Sequence, residues 1–465
     1  MRNLLQPVNR LPPEILSRIT WFIDEDATDA RPIIPLTHVC RYWRESIVST
    51  PGNWTLISSG RVRLAELSLE RCQAAPLELR LSMRQVGENP RFTSLITPYM
   101  HNTETLRIRH ISTIGGLAQV LPNFPQSMPN LRKLSLLRSD AARADQLEDA
   151  SADPIGEVTL ALTRLSLRSI PLYPSLLRLT TLTNLTISNH RFELHIDALL
   201  DFFEANQALE HATLEVQFTQ PAFRDSRRQV GIVNRLQTLS MHSTDAAENN
   251  AFISRIPLQK GARLEIYLWD RNAGLSEVLS GIPVTHFSNL QLPTSMEYRP
   301  DDRVIELLGP NGSFSFGGNP HQSAPFAEFP LFQLTNIKAF RLARLAWGPK
   351  TRMTLPPLAL PALETLAIEH EAAVCHMLTA LFEDPSVSPS LKTLAFLDCD
   401  LDEACMEALT KFASDRKNTT SARLYRVVIV SSGRGLPGFA SVDALGEHVP
   451  VVNVQMGKKL PADLF

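Results

Sequence analysis

The sequence is poor in cysteine, in excess charge of either sign and in long apolar runs, and each shortage removes a class of protein. Only five of its 465 residues are cysteine: Cys40, Cys72, Cys375, Cys399 and Cys405. An odd, scattered set supplies no disulfide framework and reads as reduced thiols of a cytoplasmic or nuclear protein. Lys and Arg number 46 against 48 Asp and Glu, a formal net charge of −2. No global field therefore draws the chain to phosphate backbones or anionic lipid, and neither nucleic acid nor membrane is expected as a partner. No uninterrupted run of about 18 apolar residues occurs, as a bilayer span would need. Pro7, Asn9 and Arg10 break the N-terminus before the apolar core of a leader could form.

Motifs of chemistry are also missing. The pair Cys375-His376 and the pair Cys399 with Cys405 come nearest to metal-ligand spacing, and neither has a second pair to complete four ligands. GPNGSFSFGG lacks the lysine and hydroxyl residue of a phosphate loop, and SSGRGLPG reads as a surface loop. No G-x-S-x-G elbow and no H-E-x-x-H pair occurs. The expectation is a chain that is not an enzyme, with no catalytic residue, no cofactor and no metal.

Two patterns fill the sequence instead. Near the N-terminus, LPPEILSRITWFI places Ile15, Leu16, Ile19, Phe22 and Ile23 at helical spacing, with Pro12 and Pro13 at the helix start. An acidic, solvated link with Asp24, Glu25, Asp26 and Asp29 leads to Leu36, Val39, Cys40, Trp43 and Ile47, which predict one second helix ended by Thr50, Pro51 and Gly52. Two amphipathic helices of this length bury too little to stand alone, so their apolar faces must meet each other, the rest of the chain or another protein.

The fragments LPPEIL, VCRYWR and PGNW, in that order over roughly residues 8 to 56, resemble the F-box pattern. The resemblance implies a small all-α module that packs on the Skp-type adaptor of an SCF ubiquitin ligase and through it on a cullin. The adaptor-binding positions it implies are Leu11, Pro12, Ile15, Leu16, Val39, Cys40, Trp43 and Trp54. A cap over the end of the body behind it is the alternative reading of the same apolar residues.

The second pattern is a hexad, L-x-x-L-x-L with conservative swaps. It recurs as LAELSL at 64, TETLRI at 103, LRKLSL at 131, LTRLSL at 162, LTNLTI at 182, LQTLSM at 236, FSNLQL at 287, IKAFRL at 337, LETLAI at 363 and LKTLAF at 391, with weaker copies LEHATL at 209 and LYRVVI at 424. The fourth positions Leu106, Leu134, Leu165, Leu185, Ala212 and Leu239 lie 20 to 31 residues apart, the period of leucine-rich repeats. PLELRLSM and GSFSFGG fill the two longer gaps as strands, and HIDALLDFFEAN, CHMLTALFED and DEACMEALTKFASD have helical spacing between strands. Cys399 lies where a strand ends, a place where repeats of this kind put a cysteine that bonds the turn backbone.

The fold expected is an α/β repeat solenoid, a leucine-rich-repeat-like arc over 57–432, preceded by the helical module at 1–56 and followed by a cap or tail at 433–465. With the hexad leucines in the core, the residues beside them form the exposed strand face. Arg107, Arg109, Lys133, Arg164 and Arg168 make one end of that face basic, and Thr365, Ala367, Thr393 and Ala395 make the other end small and neutral. The basic end suits an acidic or phosphorylated segment of an unknown target protein; solvated strand positions that merely discourage edge pairing remain the plainer reading. The expected role is substrate selection for ubiquitination, and a scaffold acting outside any ligase is the alternative.

Overall fold

The computed structural model describes residues 11–22, 33–88, 90–111, 128–138, 161–218, 235–243, 246–259, 261–268, 278, 293–299, 304–309, 312–317, 336–342, 360–369, 388–399, 401–419, 423–431 and 438–456. The described residues form a mixed α/β protein with a large, mainly parallel sheet and eleven α-helices. The chain divides into two units, Met1–Ala222 and Phe223–Phe465.

Unit 1 opens with helices α1 (Pro13–Phe22), α2 (Ile33–Thr37) and α3 (Arg41–Ser49) and a 3-10 turn at Pro51–Trp54. There follow β1 (Leu56–Ser58), α4 (Val62–Arg71), β2 (Leu77–Ser82), α5 (Met83–Glu88), α6 (Pro90–Ile96) and β3 (Thr103–Ile111). β4 (Lys133–Arg138), β5 (Arg164–Arg168), α7 (Pro174–Leu177), β6 (Asn184–Leu194), α8 (Ile196–Ala205) and β7 (His211–Phe218) complete it. Strands β1 to β7 pair in chain order, every pair parallel.

The hexads explain this order. Leu134 and Leu136 on β4, Leu165 and Leu167 on β5, and Leu185 and Ile187 on β6 are buried, while Lys133, Ser135, Arg164 and Thr186 take the opposite face. Each such leucine contributes about 1.5–3 kcal/mol of burial, and the period of two fixes which face meets the core. One backbone bond recurs just before each strand: Arg132 N donates to Glu104 O, Thr163 N to Arg132 O, Thr183 N to Thr163 O and Glu210 N to Thr183 O. Buried Asn206 stitches one turn to the next, its amide donating to Phe202 O at 2.9 Å while its carbonyl accepts from Leu182 N at 3.3 Å.

Unit 2 contains β8 (Thr238–Ser243), α9 (Ala246–Ile253), β9 (Arg263–Leu268), β10 (Ser295–Arg299), β11 (Val304–Gly309), β12 (Gly312–Gly317) and β13 (Ala339–Leu342). It ends with β14 (Thr365–Glu369), β15 (Thr393–Leu397), α10 (Glu403–Thr419), β16 (Arg426–Ser431), α11 (Phe439–Gly446) and β17 (Val451–Met456). Its strand order is β8, β9, β12, β11, β10, β13, β14, β15, β16, β17, with β11 antiparallel to both neighbours and the other pairs parallel.

Five features depart from the sequence reading. LAELSL is not a strand: it lies in α4, whose buried residues Ala65, Ser68 and Leu69, followed by Cys72, step by three and four while Leu64 and Leu67 stay half-exposed. The apolar run from Leu36 to Ile47 forms two helices, because Cys40 is extended (φ −160°, ψ 174°) and Arg44 Nε takes the carbonyl of Thr37 that a continuous helix would use. The repeat does not run unbroken through unit 2, since β10, β11 and β12 enter the sheet as a meander in reverse order. Ala367 and Ala395 are not exposed: with Leu397, Val428 and Val430 they form a buried cluster, so the face read as small and neutral is covered at β14 to β16. Finally, Cys40, Cys72 and Cys399 are thiols, whereas Cys405 is disulfide-bonded.

FSNLQL, CHMLTALFED and the acidic link of 24–29 also lie outside the described residues. Cys399 bonds strand backbone rather than turn backbone, its Sγ donating to Ile368 O of β14 at 3.3 Å.

Candidate docking surfaces

The N-terminal helices are held from within. Leu16, Trp43, Ile47 and Trp54 are buried, and α1 and α2 both pack on α3. Tyr42 Oη donates to Leu11 O at 2.6 Å, tying α3 to the chain entering α1. Ser17 Oγ donates to Asn53 Oδ1 at 2.7 Å, and the Asn53 amide and the Trp54 indole N–H both donate to Ile47 O, at 3.3 and 3.1 Å. On the far side of Trp54 the Arg71 guanidinium lies 4.5 Å from the ring centroid. Trp54 therefore joins the helices to α4.

Several apolar side chains remain outside among exposed charged ones such as Glu14, Arg18, Arg41 and Glu45. Ile15 is 40% exposed, Ile34 37% and Val39 51%, and Pro12 is exposed beside Ile15 on the same turn. Leu11 and Cys40 are half-buried. Of the eight positions named for the adaptor, Pro12, Ile15 and Val39 thus present their side chains to solvent, while Leu16, Trp43 and Trp54 are used inside this chain. Ile34 is an exposed aliphatic that the motif match missed; the apolar doublet Ile33-Ile34 was its sequence signal, with Ile33 buried and Ile34 facing out.

On the strand face of unit 1, register places Lys133 of β4 opposite Arg164 of β5, and Arg80 of β2 opposite Arg107 of β3. Neighbouring strands stand about 4.8 Å apart, so each pair sets two cations side by side. Arg109 pairs with Ser82, and Arg168 with Leu137 and Ser188, so the five basic residues fall in three rows rather than one. Carboxylates temper the basic end: Glu78 receives Arg80 at 2.9 Å and Arg107 at 3.3 Å, and Glu104 lies 3.8 Å from Lys133. Arg80 and Glu78 were legible in PLELRLSM as the residues beside its leucines, but only register shows whom they meet.

Two serine–histidine pairs also lie on the strands. Ser82 Oγ lies 3.1 Å from His110 Nδ1, and Ser240 Oγ lies 3.2 Å from His242 Nε2. The His242 ring stacks on Tyr267 with centroids 4.5 Å apart, which fixes it as part of the strand face. Among the described residues no group of three or more His, Cys, Asp or Glu could hold a metal ion, and no helix is long and apolar enough to cross a membrane.

No model of a known protein family matches this chain, and no curated protein matches it in sequence.

Proposed function

We propose that the chain is a substrate-recognition subunit of an SCF-type ubiquitin ligase, with its N-terminal helices docking a Skp-type adaptor and a leucine-rich-repeat-like solenoid binding the target. The observation that carries this reading is the division of labour among the N-terminal apolar residues. Buried Leu16, Trp43 and Trp54 fix the helices to α4, while Ile15, Ile34 and Val39 stay 37–51% exposed. Large aliphatics left open on a small, internally braced module suit a partner surface. The recurring strand-entry bonds and the 20- to 31-residue steps support the solenoid. The mechanism is proximity: the helices fix the body relative to the conjugating enzyme, and target binding raises the effective concentration of target lysines.

The test is a pull-down with purified Skp-type adaptor, comparing the intact protein with Ile15→Asp/Val39→Asp. Both changes lie at exposed positions, so the fold survives them. Capture of the intact protein and loss of capture by the variant supports the reading; no capture of the intact protein sinks it. The second reading, a scaffold whose helices only cap the body, draws on the complete burial of Trp54 and its stacking with Arg71. That reading expects no capture of either form.

A further inference from the structure

The first and the last strand of the chain are finished differently. β1 is three residues long, buried, and packed by α4. β17 is six residues long, pairs only with β16 among the described residues, and is half-exposed along its length, with Met456 at 66%. Natural sheets protect such an edge with charge, proline, a bulge or a cover. Val451–Met456, VVNVQM, has neither charge nor proline, and its register with β16 runs without a bulge.

The geometry of that edge follows from one bond. Val451 N donates to Tyr425 O at 3.1 Å, so Val451 turns its peptide groups toward β16. Peptide groups alternate along a strand, hence Val452, Val454 and Met456 direct N–H and C=O outward. The side chains of the same three residues share one face of the sheet, the face of Val427, Ile429 and Ser431 in register on β16. Asn453 and Gln455 share the other.

We propose that β17 pairs with β17 of a second copy of this chain, antiparallel about a two-fold axis through Val454. In that register Val454 faces Val454, Val452 faces Met456, and Asn453 faces Gln455. Apolar meets apolar on one face and amide meets amide on the other. All three outward residues become hydrogen-bonded pairs, about six main-chain bonds across the axis. A strand that pairs with its own copy opposes its own charges near the axis, and β17 has none. The apolar row Val427–Val452 and Ile429–Val454 then continues into the second copy and covers Met456. This inference stands apart from the ligase reading and shares no residue with it.

The experiment measures the mass of the full chain in solution by light scattering up to about 100 μM, for the parent, Val454→Lys and Val454→Pro. The lysine places like charges face to face on the axis, and the proline removes the outward donor without touching a β16–β17 bond. The parent is expected as a concentration-dependent dimer and both variants as monomers, with dissociation constants raised at least about tenfold. Should either variant misfold, Val454→Cys decides. Opposed hydrogen-bonded positions lie about 5.5 Å apart between Cα atoms, within disulfide reach. Mild oxidation should link Val454→Cys into covalent dimers and leave Val452→Cys, which faces Met456, unlinked. A parent that is monomeric throughout, a dimer indifferent to Val454→Lys, or linkage of Val452→Cys in preference to Val454→Cys overturns the proposal.

Discussion

The Arg71 guanidinium stacks over the Trp54 indole at 4.5 Å, on a ring whose own N–H is donated back to Ile47 O. This pair couples α4, and through it the first strands, to the three N-terminal helices. A cation over a desolvated indole is worth about 0.5–2 kcal/mol, and a fully buried tryptophan about 3–5 kcal/mol against alanine. Trp54→Ala is therefore expected to lower unfolding stability by about 3–5 kcal/mol. Trp54→Phe should cost only about 1 kcal/mol beyond the lost volume, because Asn53 still donates to Ile47 O. Urea denaturation with a Trp54→Leu/Arg71→Ala double-mutant cycle measures the stacking, because leucine removes the aromatic face; a coupling energy near zero would show that Arg71 merely lies over the ring.

Cys72 gives a pH dependence with a definite sign. Its side chain is buried and donates to Leu69 O at 3.3 Å. Burial pushes the Cys72 thiol above the ordinary cysteine range, against a smaller opposing effect of a backbone hydrogen bond. The stability this thiol contributes is complete below the unfolded pKa of about 8.5. It is lost as pH rises from there through the folded value, since the unfolded chain ionises first. Stability should thus fall more steeply above about pH 8.5 in the parent than in Cys72→Ala. Site-resolved alkylation at neutral pH should modify half-buried Cys40 and Cys399 before Cys72. Equal alkaline slopes in the two proteins would place the titration elsewhere.

Strands β4, β5 and β6 were legible because Leu134/Leu136, Leu165/Leu167 and Leu185/Ile187 alternate with polar neighbours, and period two has one structural solution when one face is buried. β9 escaped the hexad although Leu264, Ile266 and Leu268 alternate, since Gly261 stands where the leading leucine belongs. LAELSL fitted the hexad by letter, yet its neighbours Ala65, Ser68, Leu69 and Cys72 carry the helical period that wins. The reversal of β10 to β12 sets Glu297 directly opposite Glu306, a pairing that no periodicity in the sequence writes down. The exposed apolar positions of the N-terminal helices were legible in part for a similar reason. Spacing marks Ile15, Leu16, Val39 and Trp43 as apolar, but which of them the chain covers depends on where α3 and Trp54 pack. Patterning identifies faces; packing decides which faces are left over.

Arg416 shows how a charge can serve a core. It lies on α10 at 1% exposure, donating to Ser388 O twice at 3.1 Å and to Pro389 O at 3.0 Å, with Phe412 against its guanidinium. Burial lowers its pKa, and three hydrogen bonds to two carbonyls hold the charged form in place. The carbonyls belong to the turn that feeds β15, so the side chain fixes that turn to the helix. Arg416→Met keeps much of the volume and strands the carbonyls, at an expected cost of about 2–4 kcal/mol. Arg416→Lys should recover little, because an ammonium cannot reproduce the planar fork that reaches both carbonyls. Hydrogen exchange at Leu391 and Thr393 supplies the local readout: faster exchange there in both variants is expected, and exchange unchanged from the parent would show that the turn holds without the guanidinium.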